Sequence, residues 1–155
     1  AINRTAATAN YGTNGGTALS RSATIPTRSD TILISSPKYD ATGMVTEITD
    51  PAGTVTATEF DDARRRTKTI ENYMGTSAGT TTACVASADV NRETRFTYTA
   101  DGNVASLTAV NGTTGNQVTT YTYGTTLSDS DIATSNLLRQ VSYPDSTDYV
   151  LKAQE

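Results

Sequence analysis

The sequence predicts an all-β protein built from repeated β-hairpins. Of its 155 residues only 35% are hydrophobic and 6% aromatic, with no Trp. Thr and Tyr favour strands, and Gly and Asp favour turns, so their use along the chain points to an all-β protein. No long stretch places apolar residues at i, i+3, i+4 and i+7 between helix caps. A strand-turn-strand pattern also recurs along the chain, which favours one domain over residues 1–155.

The N-terminal segment, residues 1–38, predicts strands that diverge from the repeat. A turn at Asn14-Gly15-Gly16 suggests a hairpin that pairs residues 8–11 with residues 18–25. The run Thr31-Ile32-Leu33-Ile34-Ser35 is the most apolar in the chain. A short apolar run bounded by turn residues predicts a strand that is buried on both faces.

The clearest unit begins at Tyr39. It continues with the turn Asp40-Ala41-Thr42-Gly43, in which glycine can adopt a positive φ. The strand that follows places Val45 and Ile48 at opposite parity, so we expect a β-bulge or a half-buried geometry there. A second turn, Asp50-Pro51-Ala52-Gly53, leads into a Thr-rich strand that ends at Phe60.

Weaker copies of this unit follow. Phe60 restarts it with Arg64 at the glycine position, and Tyr121-Thr122-Tyr123-Gly124 restarts it again. We therefore expect repeat units at 39–71, 96–124 and 136–151, with inserted loops at 72–95 and 125–135. The positions expected to be structural are Tyr39, Gly43, Val45, Ile48, Gly53, Phe60, Tyr98, Gly102, Val104, Leu107, Gly112 and Tyr123. Five of them, Tyr39, Gly43, Val45, Ile48 and Gly53, match Tyr98, Gly102, Val104, Leu107 and Gly112 at identical spacing.

The pattern Tyr-Asp-Ala-Thr-Gly at 39–43, followed by Ile-Thr-Asp-Pro-Ala-Gly at 48–53, resembles the YD repeats of the Rhs family. Teneurins and the shell component of insecticidal toxin complexes share these repeats. The chain departs from the usual Gly-Arg pair at Met44, Asn103 and Arg64. The resemblance implies stacked antiparallel hairpins that form a β-solenoid or part of a hollow β-shell. It also implies a scaffold segment of a large secreted or cell-surface bacterial protein whose shell encloses an effector.

The residues predict no chemistry of the chain's own, and we expect no catalytic, cofactor-binding or metal-binding residue. The chain contains no His, which removes His-based nucleophilic and zinc sites, and its one cysteine, Cys84, is expected to be a small buried residue. Asp61 and Asp62 are adjacent and would point to opposite faces of a strand, so turn formation is expected. Asp129 and Asp131 could join a weak Ca²⁺ site, although the full loop motif is absent.

Charge gives further expectations. The net charge of −4 argues against nucleic acid as a partner, and no apolar run is long enough to insert into a membrane. The basic run Arg64-Arg65-Arg66 with Lys68 is expected to guard a sheet edge or to pair with acidic neighbours.

Two other functions remain open at this point. The chain could be the subunit of an extracellular filament that assembles by end-to-end β-strand addition between identical copies. It could also bind carbohydrate or another cell-surface ligand through a stripe of the repeat tyrosines. Asn3 and Asn111 lie in glycosylation sequons, which would suit an extracellular or cell-surface location.

Overall fold

A computed structural model describes residues 3–20, 22–75, 89–124, 134 and 136–149. These residues form one ten-stranded sheet in which strand order follows chain order and every pairing is antiparallel. The strands are β1 (Thr8–Asn10), β2 (Leu33–Tyr39), β3 (Val45–Thr49), β4 (Val55–Phe60), β5 (Arg66–Glu71), β6 (Arg92–Tyr98), β7 (Val104–Ala109), β8 (Gln117–Tyr123), β9 (Leu138–Ser142) and β10 (Thr147–Tyr149). The prediction of an all-β fold of side-by-side hairpins is confirmed.

Four hairpins contain the same β-bulge. In the β2–β3 hairpin Lys38 pairs with Glu47 and Tyr39 pairs with Val45, so Thr46 is an additional residue on β3. The β4–β5, β6–β7 and β8–β9 hairpins show the same register shift immediately before the aromatic residue that ends the first strand. The additional residues there are Thr67, Ala105 and Arg139.

The bulge resolves the conflict of parity between Val45 and Ile48. Cross-strand partners share a face of the sheet, so Val45 lies on the face of Tyr39 and Ile48 lies on the face of Pro37, which is the same face. The expected bulge is therefore confirmed. We call this side the aromatic face; the register gives it Tyr39, Val45, Ile48, Phe60, Phe96, Tyr98, Val104, Leu107, Tyr121, Tyr123, Leu138 and Val141.

The expected N-terminal hairpin is wrong. β1 pairs with β2, with Ala9 opposite Ile34, and residues 18–25 contribute no strand among their described positions. Ile34 is only 5% exposed in this arrangement, whereas Leu19 and Ile25 in the segment expected to pair with β1 are 59% and 56% exposed. Pairing with β2 therefore lets β1 cover an apolar side chain that the expected hairpin would have left uncovered.

The apolar run at residues 31–35 is buried on one face only, contrary to the prediction. Ile34 is buried, but its neighbour Leu33 is 43% exposed on the aromatic face. The reason is that the described residues form a single layer, so no second layer covers both sides of β2. The buried apolar side chains of the described residues are few and lie along the sheet: Ile34, Ala57, Ile70 and Val141.

Residues 92–95, which were expected to belong to an inserted loop at 72–95, lie in β6. β6 begins at Arg92, because this residue pairs with Glu71 on β5 in register and also forms a 2.6 Å ion pair with it. Cys84, Asp129 and Asp131 lie outside the described residues, so the expectations for them stay predictions. Within the described part of the chain, no helix has the length and apolarity needed to cross a membrane.

Candidate functional site

The candidate site is the junction between successive hairpins, where the second strand of one hairpin pairs with the first strand of the next. At the β5–β6 junction the Tyr98 hydroxyl donates a hydrogen bond of 2.7 Å to the carbonyl oxygen of Arg66. The guanidinium of Arg65 lies 4.6 Å from the centroid of the Tyr98 ring. A cation over a tyrosine ring is stabilising, so the hydrogen bond and the ring contact both stabilise the pairing of one hairpin with the next. We call this combination the clamp.

The same clamp occurs at the β1–β2 junction. The Tyr39 hydroxyl donates to the carbonyl oxygen of Thr5 at 3.1 Å, and the guanidinium carbon of Arg4 lies 5.2 Å from the ring centroid. Arg4 also donates through Nη1 to the carbonyl oxygen of Asp40 at 3.4 Å. The arginine that precedes β1 therefore contacts both residues of the Tyr-Asp pair at the start of the repeat unit.

Glycine in the turn leaves room for this arginine. Gly43 has φ of 95°, and a Cβ added there would lie 2.6 Å from Nη2 of Arg4. Gly102 has φ of 85°, and its Cβ would lie 4.0 Å from Nη1 of Arg65. Both positions need glycine because of the backbone conformation, and at Gly43 the close approach of arginine adds a second reason.

At the β7–β8 junction, asparagine stands at the position that arginine holds in the clamp. The Tyr123 hydroxyl donates to the carbonyl oxygen of Val104 at 2.9 Å, and Nδ2 of Asn103 donates to Oδ1 of Asn136 at 3.0 Å. Asn103 and Asn136 occupy the positions of Arg65 and Gly102 at the β5–β6 junction. Burial, and to a smaller extent the electrostatic interaction with Tyr121, raises the pKa of the Tyr123 hydroxyl above its usual value.

The β3–β4 junction is an apolar version of the same arrangement. Phe60 occupies the tyrosine position and has no hydroxyl, and Met44 occupies the arginine position. The replacements occur together: the junction that has no hydroxyl also has no guanidinium. Met44 and Phe60 both line the same cavity.

Acidic or hydroxyl side chains close three of the described turns, at Asp40, Asp61 and Thr99. Oδ1 of Asp61 accepts the backbone N–H of Arg65 at 2.8 Å, and Oδ2 accepts Nε of the same arginine at 2.7 Å. These bonds lower the pKa of Asp61, and hydrogen bonds from Thr42 and the backbone of Met44 lower the pKa of Asp40. Asp61 thus both closes the turn and holds Arg65 over Tyr98. Turn formation by Asp61, as predicted, is confirmed.

Arg64 stands where the β2–β3 and β6–β7 turns have Gly43 and Gly102, and its φ is 62°. A residue with a Cβ is strained in this conformation. The expectation that the basic run pairs with acidic neighbours is confirmed for two of its members, because Arg65 bonds Asp61 and Lys68 pairs with Glu59 at 3.0 Å. Arg66 instead lies 4.4 Å from the centroid of the Phe96 ring. The alternative that the run guards an edge is wrong, since β5 has a strand on either side.

The face opposite the aromatic face carries cross-strand ion pairs. Lys38 pairs with Glu47 at 2.6 Å and Glu59 pairs with Lys68 at 3.0 Å across neighbouring strands, while Arg95 pairs with Glu93 along β6 on the same face. A cavity of about 970 Å³ lies on this face, and its lining includes Ala57 and Ile70. Among the described residues, no three side chains of the His, Cys, Asp and Glu types group as ligands for a metal ion.

Comparison with known families agrees with this geometry. Residues 39–72 match the family model described as RHS Repeat. This part of the chain is similar to an RHS repeat. The match begins at the first clamp tyrosine and ends just after β5, and it supports the assignment to the Rhs/YD-repeat family. No curated protein matches the chain.

The sequence pattern marks the tyrosines at these junctions as structural positions but does not mark their partners. Tyr39 and Tyr98 end β2 and β6 in clamps, Tyr123 ends β8 with the hydroxyl bond alone, and Phe60 ends β4 at the apolar junction. Arg4 and Thr5 were not singled out, because residues 1–38 resemble the repeat only loosely. Arg65 directly follows Arg64, which stands at the turn-glycine position, and the YD repeats that the unit resembles commonly have arginine there. The sequence therefore offers a signal for Arg65.

The second turn of the unit differs between copies. Gly53 has φ of 92° and lies against Arg28, whose Nη2 donates to the carbonyl oxygen of Asp50 at 2.8 Å. In the corresponding connection between β7 and β8 the glycine with positive φ is Gly115, at 86°, and Gly112 is exposed. The equal spacing of Gly53 and Gly112 in the sequence therefore does not correspond to equal backbone conformation.

The two sequon asparagines lie in different settings. Asn3 is exposed at the start of the described chain. The side chain of Asn111 accepts backbone N–H groups from Thr113 and Thr114 at 2.9 and 3.2 Å.

Proposed function

We propose that this chain is a structural scaffold segment of a large secreted or cell-surface bacterial YD-repeat protein, with no chemistry of its own. The observation that supports this most is the clamp between hairpins, which recurs with the same donor and acceptor positions. In a repeat protein each unit interacts chiefly with its neighbours, so residues devoted to the junction serve the assembly.

The partners, on this proposal, are other repeats of the same kind and an effector enclosed by the shell they form. A sheet of one layer leaves two broad faces, and a hollow shell would turn one of them inward. The aromatic face contains Ile48, which is 49% exposed, and the opposite face carries the ion pairs described above. A shell that encloses a polypeptide would turn its aromatic face toward that polypeptide.

The tyrosines support scaffolding better than glycan binding. The hydroxyls of Tyr39 and Tyr98 are bonded to backbone carbonyls, and an arginine covers one face of each ring. A sugar that stacks on these rings would have to use the remaining face.

The test of this proposal is the intact mass and location of the native polypeptide. An antibody against the 155-residue chain should detect, on intact cells or in the medium, a polypeptide far larger than the 16.3 kDa of this chain and with further YD repeats. Detection of a cytoplasmic polypeptide of 16.3 kDa alone would contradict the proposal.

A further inference from the structure

The N-terminal strand makes the contacts of the second strand of a repeat hairpin. Thr8 of β1 pairs with Ser35, four residues before the clamp residue Tyr39. Ile48 of β3 pairs with Thr56, four residues before Phe60. The same register holds at the next two junctions, where Thr69 pairs with Thr94 before Tyr98 and Leu107 pairs with Thr119 before Tyr123.

The clamp residues extend this equivalence. The carbonyl of Thr5 accepts the hydrogen bond from the Tyr39 hydroxyl, as the carbonyl of Arg66 accepts the one from Tyr98. Thr5 lies three residues before Thr8, and Arg66 lies three residues before Thr69. Arg4 then corresponds to Arg65, and each covers the ring of the next tyrosine. Asn3 consequently occupies the position of the turn glycine, a position that Asn tolerates better than most residues.

The outer edge of β1 lacks the neighbour that every other second strand has. β3, β5, β7 and β9 each have the first strand of their own hairpin on one side, whereas β1 has a partner strand only in β2 among the described residues. Thr8 and Asn10 are exposed. The free N–H and C=O groups of such an edge are a template for another strand.

We propose that this edge of β1 is a docking surface for an extended strand that ends in an aromatic residue followed by Asp. The occupant is the first strand of a further RHS-type hairpin, joined to Asn3 through a four-residue turn that begins at the Asp. Its aromatic residue lies opposite Thr5, as Tyr39 lies opposite Val45 and Phe60 opposite Arg66. This inference rests on the proposed function, since it names the partner that continues the scaffold.

The experiment grafts such a strand onto the chain. The sequence of residues 54–61, which ends in Phe60-Asp61, is placed directly before Ala1. The graft reproduces the spacing from Phe60 to Arg65, because the new Phe-Asp is followed by Ala1, Ile2, Asn3 and Arg4. We expect a rise in Tm of several degrees and amide exchange at Thr8–Asn10 that is slowed by about tenfold or more.

Two matched grafts serve as controls. In one, the grafted aromatic residue is replaced by Ser, which keeps the strand but removes the ring. In the other, one residue between the grafted Asp and Asn3 is deleted, which shifts the register by one and turns the aromatic residue to the other face. Both should give less stabilisation than the complete graft.

Two results would overturn the proposal. One is an equal rise in Tm, or no rise, for all three grafts. The other is concentration-dependent self-association of the ungrafted chain with protection of the Thr8–Asn10 amides, which would assign the edge to a second copy. Either result is obtained on the purified chain, so it is distinguishable from a failure of the proposed function, which is tested on the native polypeptide.

Discussion

The Tyr98 hydroxyl donates a hydrogen bond of 2.7 Å to the carbonyl oxygen of Arg66, which belongs to the preceding hairpin. Tyr98→Phe removes this donor and leaves the ring in place. We expect a loss of about 1 kcal/mol in the free energy of unfolding, measured by urea denaturation. Tyr143→Phe, at an exposed tyrosine outside the clamps, is the matched control and should have little effect. Equal stability of Tyr98→Phe and the parent chain would show that the bond is not stabilising.

Gly43 and Gly102 should respond differently to the same substitution. Each requires a positive φ, so Gly→Ala should cost about 1–2 kcal/mol at either position. Gly43→Ala should cost more, since its Cβ would also meet Nη2 of Arg4 at 2.6 Å. Repeating both substitutions in an Arg4→Ala background should remove the difference. Chemical denaturation measures all four costs, and a difference that persists without Arg4 would contradict the explanation.

Arg64→Gly should stabilise the protein. Arg64 has φ of 62° at the position where the β2–β3 and β6–β7 turns have glycine. Relief of this strain should outweigh the greater freedom of glycine in the unfolded chain and raise the free energy of unfolding by up to about 1 kcal/mol. Arg65→Gly, one residue along, loses the contacts with Asp61 and Tyr98 and should destabilise instead. A lower Tm for Arg64→Gly would mean that its side chain makes a compensating contact.

Acid should weaken the turn that contains Asp61. Its hydrogen bonds lower the pKa of Asp61 in the folded state, so the ionised form stabilises the fold above the unfolded-state pKa near 4. That contribution is lost as the pH falls through the lower, folded-state value. Asp61→Asn should therefore flatten the dependence of stability on pH below about 4, measured by denaturation at a series of pH values. Asp62→Asn controls for the loss of one charge, and an unchanged slope for Asp61→Asn would contradict the assignment.

The sequence predicted the architecture well where spacing alone decides it. Tyr39, Gly43, Val45 and Ile48 recur at equal offsets in the next full copy, and they lie at equivalent positions of equivalent hairpins. It also indicated a bulge, since Val45 and Ile48 could not otherwise share a face. The choice of Thr46 as the additional residue depends on pairing between strands, which the order of residues does not reveal.

The N-terminal strand could not be predicted from the repeat pattern. Residues 3–10 have neither the tyrosine nor the glycine of the unit, and only Arg4 marks the clamp. The turn at Asn14-Gly15-Gly16 favoured a local hairpin, but β2 lies much further along the chain and offers the buried Ile34 as a partner. Long-range pairing of this kind is decided by burial across the sheet and overrides local turn signals.

The central claim is that the clamp couples neighbouring hairpins, and a double-mutant cycle on Arg65 and Tyr98 tests it most directly. Arg65→Ala, Tyr98→Leu and the double variant are compared with the parent chain by urea denaturation. The cycle separates the contact between Arg65 and Tyr98 from the contacts of Arg65 with Asp61. We predict a coupling energy of about 0.5–1 kcal/mol between the two side chains. Losses that add to within about 0.3 kcal/mol would contradict the clamp.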